Sequence, residues 1–101
     1  MKLVLVTSVE EFHENILKLF KKAGIHSFSE SDIDGHKNGA SLLMANSWFP
    51  GEKGGNKSRM YFSFAAEDEI EALFELLKNY NQNLETNNPI KAVVLPIEKY
   101  L

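Results

Sequence analysis

The chain has 101 residues, the usual size of one compact unit, so we expect a single domain over 1–101. Its 11 basic and 14 acidic residues give a net charge of −3, which offers no electrostatic case for binding nucleic acid. The absence of cysteine excludes disulfides, thiolate metal sites and a cysteine nucleophile. The longest early apolar run, 3–6, is too short for a signal peptide or a membrane span. We therefore expect a cytoplasmic protein without direct membrane insertion.

The first third of the sequence predicts a strand, a helix and a second strand. Residues 2–7 are aliphatic on both alternating faces, which is typical of a central strand. Ser8 and Glu11 have capping-box spacing, and Gly24 can adopt the left-handed conformation that ends helices. The polar strand predicted over 26–34 is expected near a sheet edge. The helix carries an apolar stripe: Phe12, Ile16, Leu19, Phe20 and Ala23.

The last third predicts a strand, a helix and a final strand. Residues 59–65 form an aromatic strand with Met60, Phe62 and Phe64 on one face. An acidic start suits the dipole of the next helix, which is expected to run to about Tyr80. A polar loop over 81–88 precedes a strand over 91–97. The apolar stripe of this helix consists of Ile70, Leu73, Phe74 and Leu77.

The resulting order, β-α-β-β-α-β, predicts an α+β fold: the ferredoxin-like sandwich, a four-stranded antiparallel sheet with two helices on one face. Leu3 and Leu5 would lie on the face that the helices leave bare. A bare apolar face predicts packing against other subunits.

A long loop, 35–57, separates the two halves and holds five of the six glycines. Loops of this length are often functional or mobile, and we expect high mobility over roughly 39–55 without a ligand. Trp48 lies in its middle and serves either as an anchor for a ligand or partner, or as a cap on the core or a neighbouring subunit. His36, beside Asp34, is either a metal ligand or effector contact, or an exposed loop histidine.

Three features resemble the PII signal-transduction family and its PII-like relatives over the whole chain. They are the loop start Ile33-Asp34-Gly35-His36, Lys57 ahead of the third strand, and the ending Leu95-Pro96-Ile97-Glu98, which is similar to that family's Leu-Pro-Val-Glu motif. The resemblance implies a homotrimer with small effectors in clefts between subunits. It also implies that the long loop contacts ligands and a partner, here a membrane transporter or an enzyme.

The candidate ligand-binding residues follow from this likeness and from the loop chemistry. Gly35 matches a glycine at the base of the family's loop, Lys57 matches a lysine there, and Asn38 falls near its ligand-binding glutamine. A basic side chain near these positions could attract an anion. The full candidate set is Gly35, His36, Asn38, Trp48, Lys57 and Arg59.

Two departures point to a divergent PII-like regulator. The family's phosphate loop is glycine-rich and basic, whereas 81–88 has no glycine and no cation to approach a phosphate. The loop 35–57 also lacks the family's modifiable tyrosine. We therefore expect weak or no ATP binding and a neutral or small anionic effector, smaller than a nucleotide, that the side-chain amides of Asn81, Asn83 and Asn87 could hydrogen-bond. The sequence identifies no cofactor.

Two other functional classes are compatible with a chain of this kind. A metal-homeostasis protein of the divalent-cation-tolerance type would use Asp34, His36, Met44 and Trp48, although the sequence has no strong metal-ligand spacing. A small enzyme acting on a hydrophobic metabolite would need a catalytic constellation, and none is evident. We therefore expect no enzyme activity. His13 and His26 are expected at the surface.

Overall fold

The computed structural model describes residues 1–34, 57–84 and 88–101. The predicted element order and the ferredoxin-like fold are confirmed. Along the chain, a short 3-10 turn (Glu10–Phe12) precedes the first helix. The other elements are β1 (Lys2–Val9), α1 (His13–Lys22), β2 (Ser29–Asp34), β3 (Lys57–Ala65), α2 (Glu67–Gln82) and β4 (Lys91–Pro96).

The four described strands form one antiparallel sheet in the order β2-β3-β1-β4. The aliphatic strand β1 is central and the polar strand β2 is an edge, as predicted. Val4 and Val6 of β1 are fully buried beneath both helices, together with Ile16 of α1 and Leu73 of α2. The core therefore fills the space between one sheet face and the helix layer.

The sequence predicted the C-terminal end of α1 correctly but not its N-terminal cap. Gly24 has φ +86°, and the backbone N–H groups of Gly24 and Ile25 donate to the carbonyls of Lys21 and Phe20. This is the predicted left-handed helix ending. The predicted cap at Ser8 is wrong. Ser8 instead belongs to β1, where it pairs with Arg59, and its hydroxyl donates to the Val9 carbonyl oxygen at 3.1 Å.

Helix α2 extends to Gln82, so the polar segment after it starts later than predicted. Glu69 accepts a hydrogen bond from the Ala66 backbone N–H at its start. Near its end, the Asn81 carboxamide holds Ile90, donating to its carbonyl and accepting from its N–H, both at 2.9 Å. Asn81 therefore fixes the approach to β4 through its carboxamide oxygen and one of its two N–H groups. Neither helix in the described ranges is long and apolar enough to cross a membrane.

Candidate functional site

Opposite charges face each other where β2 and β3 lead into residues 35–56. Asp34 lies opposite Lys57, and Asp32 opposite Arg59, in the strand register. Directly opposed residues of antiparallel strands project to the same side of the sheet. The sequence-predicted candidates Lys57 and Arg59 therefore lie two residues apart on the helix-facing side of β3, at the base of the long segment.

Arg59 is held by carboxylates of the neighbouring strand. Its guanidinium contacts the Glu30 carboxylate at 2.8 Å and that of Asp32 at 3.5 Å. The Arg59 side chain is only 21% exposed, and its Nε atom is buried with no hydrogen-bond partner among the described residues. Because the Glu30 and Asp32 carboxylates already balance the charge of Arg59, this guanidinium does not form an unpaired cationic site for an anion. Lys57 is exposed.

A histidine–tyrosine pair continues this polar cluster toward α1. The His13 Nδ1 atom and the Tyr61 hydroxyl are 3.1 Å apart, while His13 Nε2 lies 3.7 Å from Glu30 Oε1. The two rings also stack, with centroids 6.0 Å apart. The prediction that His13 is simply a surface residue is wrong, because its ring is half-buried against two strands. His26 is exposed, as predicted.

Tyr61 is fully buried, so its hydroxyl is unavailable to a substrate. Burial raises the pKa of this phenol above its ordinary value of about 10, and a hydrogen bond with Ser8 partly opposes that change. The cluster of His13, Glu30, Arg59 and Tyr61 is therefore a polar cross-link between α1, β2 and β3. These contacts hold β2 and β3 against each other and against the start of α1, and the long segment departs from these two strands.

We expect Tyr61→Phe to reduce the loss of folding free energy that the wild type shows at alkaline pH. Because the pKa of Tyr61 is raised in the folded state, its stabilising contribution is present below pH 10 and is lost as pH rises through the folded-state pKa. Urea unfolding of the wild type should show this loss above about pH 10, and the phenylalanine variant should show less of it. Near pH 7 the variant should lose about 1 kcal/mol with its hydrogen bonds. The exposed Tyr100 provides the control, Tyr100→Phe; equal pH profiles for both variants would contradict the assignment.

Four of the predicted ligand-binding residues, Gly35, His36, Asn38 and Trp48, lie outside the described residues, as do Met44 and most of the loop. Of the expected amide donors, Asn83 donates to the Asn79 carbonyl, and Asn87 is also outside the described part. Among residues 1–34, 57–84 and 88–101, no three His, Asp or Glu side chains converge as a metal site requires.

The sheet face opposite the helices is apolar and uncovered by the described residues. Cross-strand neighbours form continuous rows, Phe64–Leu3–Leu95 and Phe62–Leu5–Val93. Within one subunit Phe64 is 57% exposed, Leu95 43% and Val93 37%. We call these six residues, with Met60, the bare face. The predicted shared orientation of Met60, Phe62 and Phe64 is confirmed by the burial of the alternating residues Tyr61, Ser63 and Ala65.

A cleft of about 530 Å³ opens beside the bare face, between the segment 26–29 and the end of β3. Phe62 and Phe64 belong to both features. The Ser63 hydroxyl donates to the Ser27 carbonyl at 2.6 Å and closes the cleft floor. Hydroxyl groups and the His26 imidazole give the cleft a mixed polar and aromatic lining. Sequence reasoning missed this cleft, since it forms where β2 stops short of pairing with Ser63.

Solved structures share this architecture. CPII, a nitrogen regulatory PII-like protein from Thiomonas intermedia that was solved with ADP, AMP and bicarbonate, superposes with a TM-score of 0.63 over 99% of this chain and 94% of its own, at 12% identity. A PII-like signalling protein from Thermus thermophilus gives a TM-score of 0.59 over 95% of this chain and 85% of its own, at 16% identity.

The chain has a PII-like fold. No family model and no curated protein sequence matches it, so the likeness lies in the three-dimensional structure. At identities of 12% and 16%, the comparisons establish the PII-like fold alone. They agree with the resemblance that the loop start, Lys57 and the Leu-Pro-Ile-Glu ending indicated.

Proposed function

We propose that this protein is a trimeric PII-like regulator that binds a small effector between subunits and signals through the segment 35–57. The bare face is the observation that carries the proposal. A small domain rarely leaves a contiguous apolar patch uncovered unless the patch is an interaction site. Three copies with their bare faces turned inward would bury Phe64, Leu95 and Val93 in a common centre.

The cleft beside the bare face supports an effector site at the subunit boundary. Because Phe62 and Phe64 contribute to both the cleft and the bare face, a neighbouring subunit on that face would supply a further wall. The serine hydroxyls and His26 could bind polar groups of an effector, while the aromatic rings could cover its apolar part. CPII was solved with ADP, AMP and bicarbonate, which makes small anions and adenosine phosphates suitable first probes.

The register of β2 and β3 supports communication with the long segment. Ser29 pairs with Phe62 at the cleft end, and Asp34 pairs with Lys57 at the other end. An effector in the cleft would therefore touch the same two strands from which residues 35–56 depart. The Arg59–Glu30 contact braces these strands between the two ends. Lys57 and Arg59 lie toward the opposite end of this ladder from the cleft. Together with Gly35, His36, Asn38 and Trp48 they remain our candidates for ligand contacts at the base of the long segment.

The output of such a regulator would be a change in what the long segment contacts. We propose that the partner of the loop is a membrane transporter or an enzyme, and that the protein works in the cytoplasm. We assign no catalytic step to the described cluster, in which Tyr61 is buried and Arg59 is balanced by two carboxylates.

Sedimentation velocity and effector screening test the proposal together. We expect a trimer at micromolar concentration, and a larger rise in Tm with bicarbonate than with AMP or ADP, because a ligand that binds the folded state stabilises it by mass action and the segment 81–88 offers a phosphate no glycine or cation. Trp48 is the only tryptophan, so its emission should change with the ligand that raises Tm. A stable monomer would contradict the trimer, and unchanged, fully water-exposed Trp48 emission would contradict signalling through the loop.

ATP is expected to bind more weakly than about 10 μM, near −7 kcal/mol. A triphosphate usually needs convergent backbone amides and fixed cations. The segment 81–88 has no glycine or cation, its Asn81 carboxamide is occupied by Ile90, and Glu85 adds negative charge. Isothermal titration at moderate salt measures the affinity. A tighter dissociation constant would show that a triphosphate binds without the missing glycines.

A further inference from the structure

The five residues that follow β4, 97–101, are largely exposed, and we call them the tail. Their sequence is Ile-Glu-Lys-Tyr-Leu, and the last four are exposed. Tyr100 is 79% exposed within one subunit. A tyrosine joins a large apolar ring to a polar hydroxyl, and for this reason tyrosines are enriched where proteins contact each other. The tail therefore presents an aromatic side chain that the described part of its own subunit leaves uncovered.

The tail leaves the sheet at the same end as the cleft beside the bare face. Lys2 pairs with Ala65 of β3 on one side and with Pro96 of β4 on the other, so β3 and β4 end level with each other. Ser29 pairs with Phe62, which places the cleft at this end of the sheet as well. In the strand order β2-β3-β1-β4, however, the tail and the cleft belong to opposite edges.

These two edges meet in the proposed trimer. A closed ring of identical subunits repeats one head-to-tail interface, so the β4 edge of one subunit faces the β2 edge of the next. Sheets that face inward and meet at their edges are related by an axis along the strands, which keeps the strand ends level around the ring. Residues 97–100 span up to about 14 Å when extended, nearly three strand spacings of about 4.8 Å. Tyr100 therefore reaches the cleft of the next subunit.

The cleft has the shape and chemistry to receive a tyrosine ring. Three phenylalanines line it: Phe28, Phe62 and Phe64. Aromatic rings pack favourably on one another in offset or edge-to-face arrangements. A smaller hollow of about 230 Å³ adjoins the cleft, shares four of its lining residues and adds the carboxylate of Glu69. Lys99, the residue before Tyr100, carries the opposite charge, so the tail and the cleft are complementary in both aromatic and charged groups.

We propose that Tyr100 of each subunit inserts into the cleft of the next subunit, a contact that rests on the trimer of the proposed function. The Tyr100 ring packs on Phe62 and Phe64 of that subunit, with its hydroxyl toward water, and Lys99 lies near Glu69. The cleft is then filled when no effector is present. An effector that carries an apolar or aromatic ring binds there only by displacing the tail.

Disulfide cross-linking tests this contact directly, because the chain has no cysteine of its own. His26→Cys places a thiol at the cleft, and Leu101→Cys places one beside Tyr100 while leaving the ring in place. A disulfide forms only where the two Cα atoms come within about 7 Å. We expect covalent dimers when the two single variants are co-expressed, and a covalently closed trimer when one chain carries both substitutions. The matched control pairs Leu101→Cys with Glu14→Cys, at an exposed position of α1, and should not cross-link.

Substitutions of Tyr100 distinguish an anchored tail from chance collision. Adding Tyr100→Ala to the Leu101→Cys chain should slow cross-linking at least tenfold, whereas Tyr100→Phe, which keeps the ring, should leave the rate unchanged. In the cysteine-free chain, Tyr100→Ala should raise the affinity for anilinonaphthalene sulfonate at least tenfold, because this dye binds exposed apolar surface and the cleft is then empty. Dye binding is measured at concentrations at which sedimentation shows the variant to be trimeric.

Sedimentation velocity of the wild type distinguishes the two ways in which the contact could fail. A monomeric wild type would contradict the proposed function together with the contact. Three results from a trimeric protein would overturn the contact alone: cross-linking of Leu101→Cys that is no faster with His26→Cys than with Glu14→Cys, cross-linking that Tyr100→Ala does not slow, or equal dye binding by Tyr100→Ala and the wild type. A disulfide closed within single chains of the double variant would also overturn it, since the tail would then occupy its own subunit's cleft.

Discussion

Replacing Phe64 with aspartate is expected to convert the proposed trimer into a folded monomer. Phe64 is 57% exposed within one subunit, so the substitution removes little of the subunit's own core. In the trimer it would place three carboxylates in an apolar centre, and burying an unpaired charge costs about 3–5 kcal/mol. The concentration for half-dissociation should rise at least about 100-fold, measured by sedimentation equilibrium.

Leu95→Asp should have the same effect from a different strand, since Leu95 lies in the same cross-strand row. Ala72→Asp on α2 adds the same charge away from the bare face and should leave the trimer intact. Far-UV circular dichroism distinguishes dissociation from unfolding. A trimer that survives both Phe64→Asp and Leu95→Asp would show that the subunits associate through another surface, and the proposed arrangement would be wrong.

Replacing Arg59 with leucine is expected to lower the free energy of unfolding by about 1–2 kcal/mol, because a hydrogen-bonded partner is removed from a charged group. Glu30 would lose its 2.8 Å contact and remain beside Asp32. Adding Glu30→Gln to the same chain should recover part of the loss, since the unpaired carboxylate is then gone. Urea unfolding of the two single variants and the double variant measures this coupling.

Lys78→Leu is the control for Arg59→Leu, because Lys78 and Glu75 are both exposed and such pairs contribute little. It should cost less than about 0.5 kcal/mol. The same variants separate two roles of Arg59. Unchanged stability together with a lost effector-induced rise in Tm would assign Arg59 to ligand binding rather than to bracing β2 and β3.

The candidate site was only partly predictable from the sequence. Lys57 and Arg59 were identifiable as cations at the base of a long loop, but the partners of Arg59 were not. Glu30 is 29 residues away from it along the chain, and the contact depends on how β2 and β3 pair. The same holds for His13 and Tyr61, which are 48 residues apart. No local pattern specifies such pairs, because the packing and register of separate elements determine them.

Local chemistry by itself determined much of the fold. Three kinds of pattern predicted both an element and the side it buries. They are the aliphatic residues on both faces of β1, the aromatic alternation in β3, and the apolar stripe of each helix. Gly24 ended α1 because a residue without a Cβ adopts a positive φ at low cost. From these elements the sequence also predicted a bare face beside Leu3 and Leu5, since two helices can cover only one side of a four-stranded sheet.

Tertiary structure decided what single segments left open. Ser8 had the spacing of a helix cap, yet it extends β1 because its strand partner Arg59 completes the ladder. Asn81 looked like a free amide donor until Ile90 was brought against it. The cleft near Ser63 exists because β2 stops short of pairing with that residue. Such spaces depend on the relative lengths and positions of packed elements, which no single segment encodes.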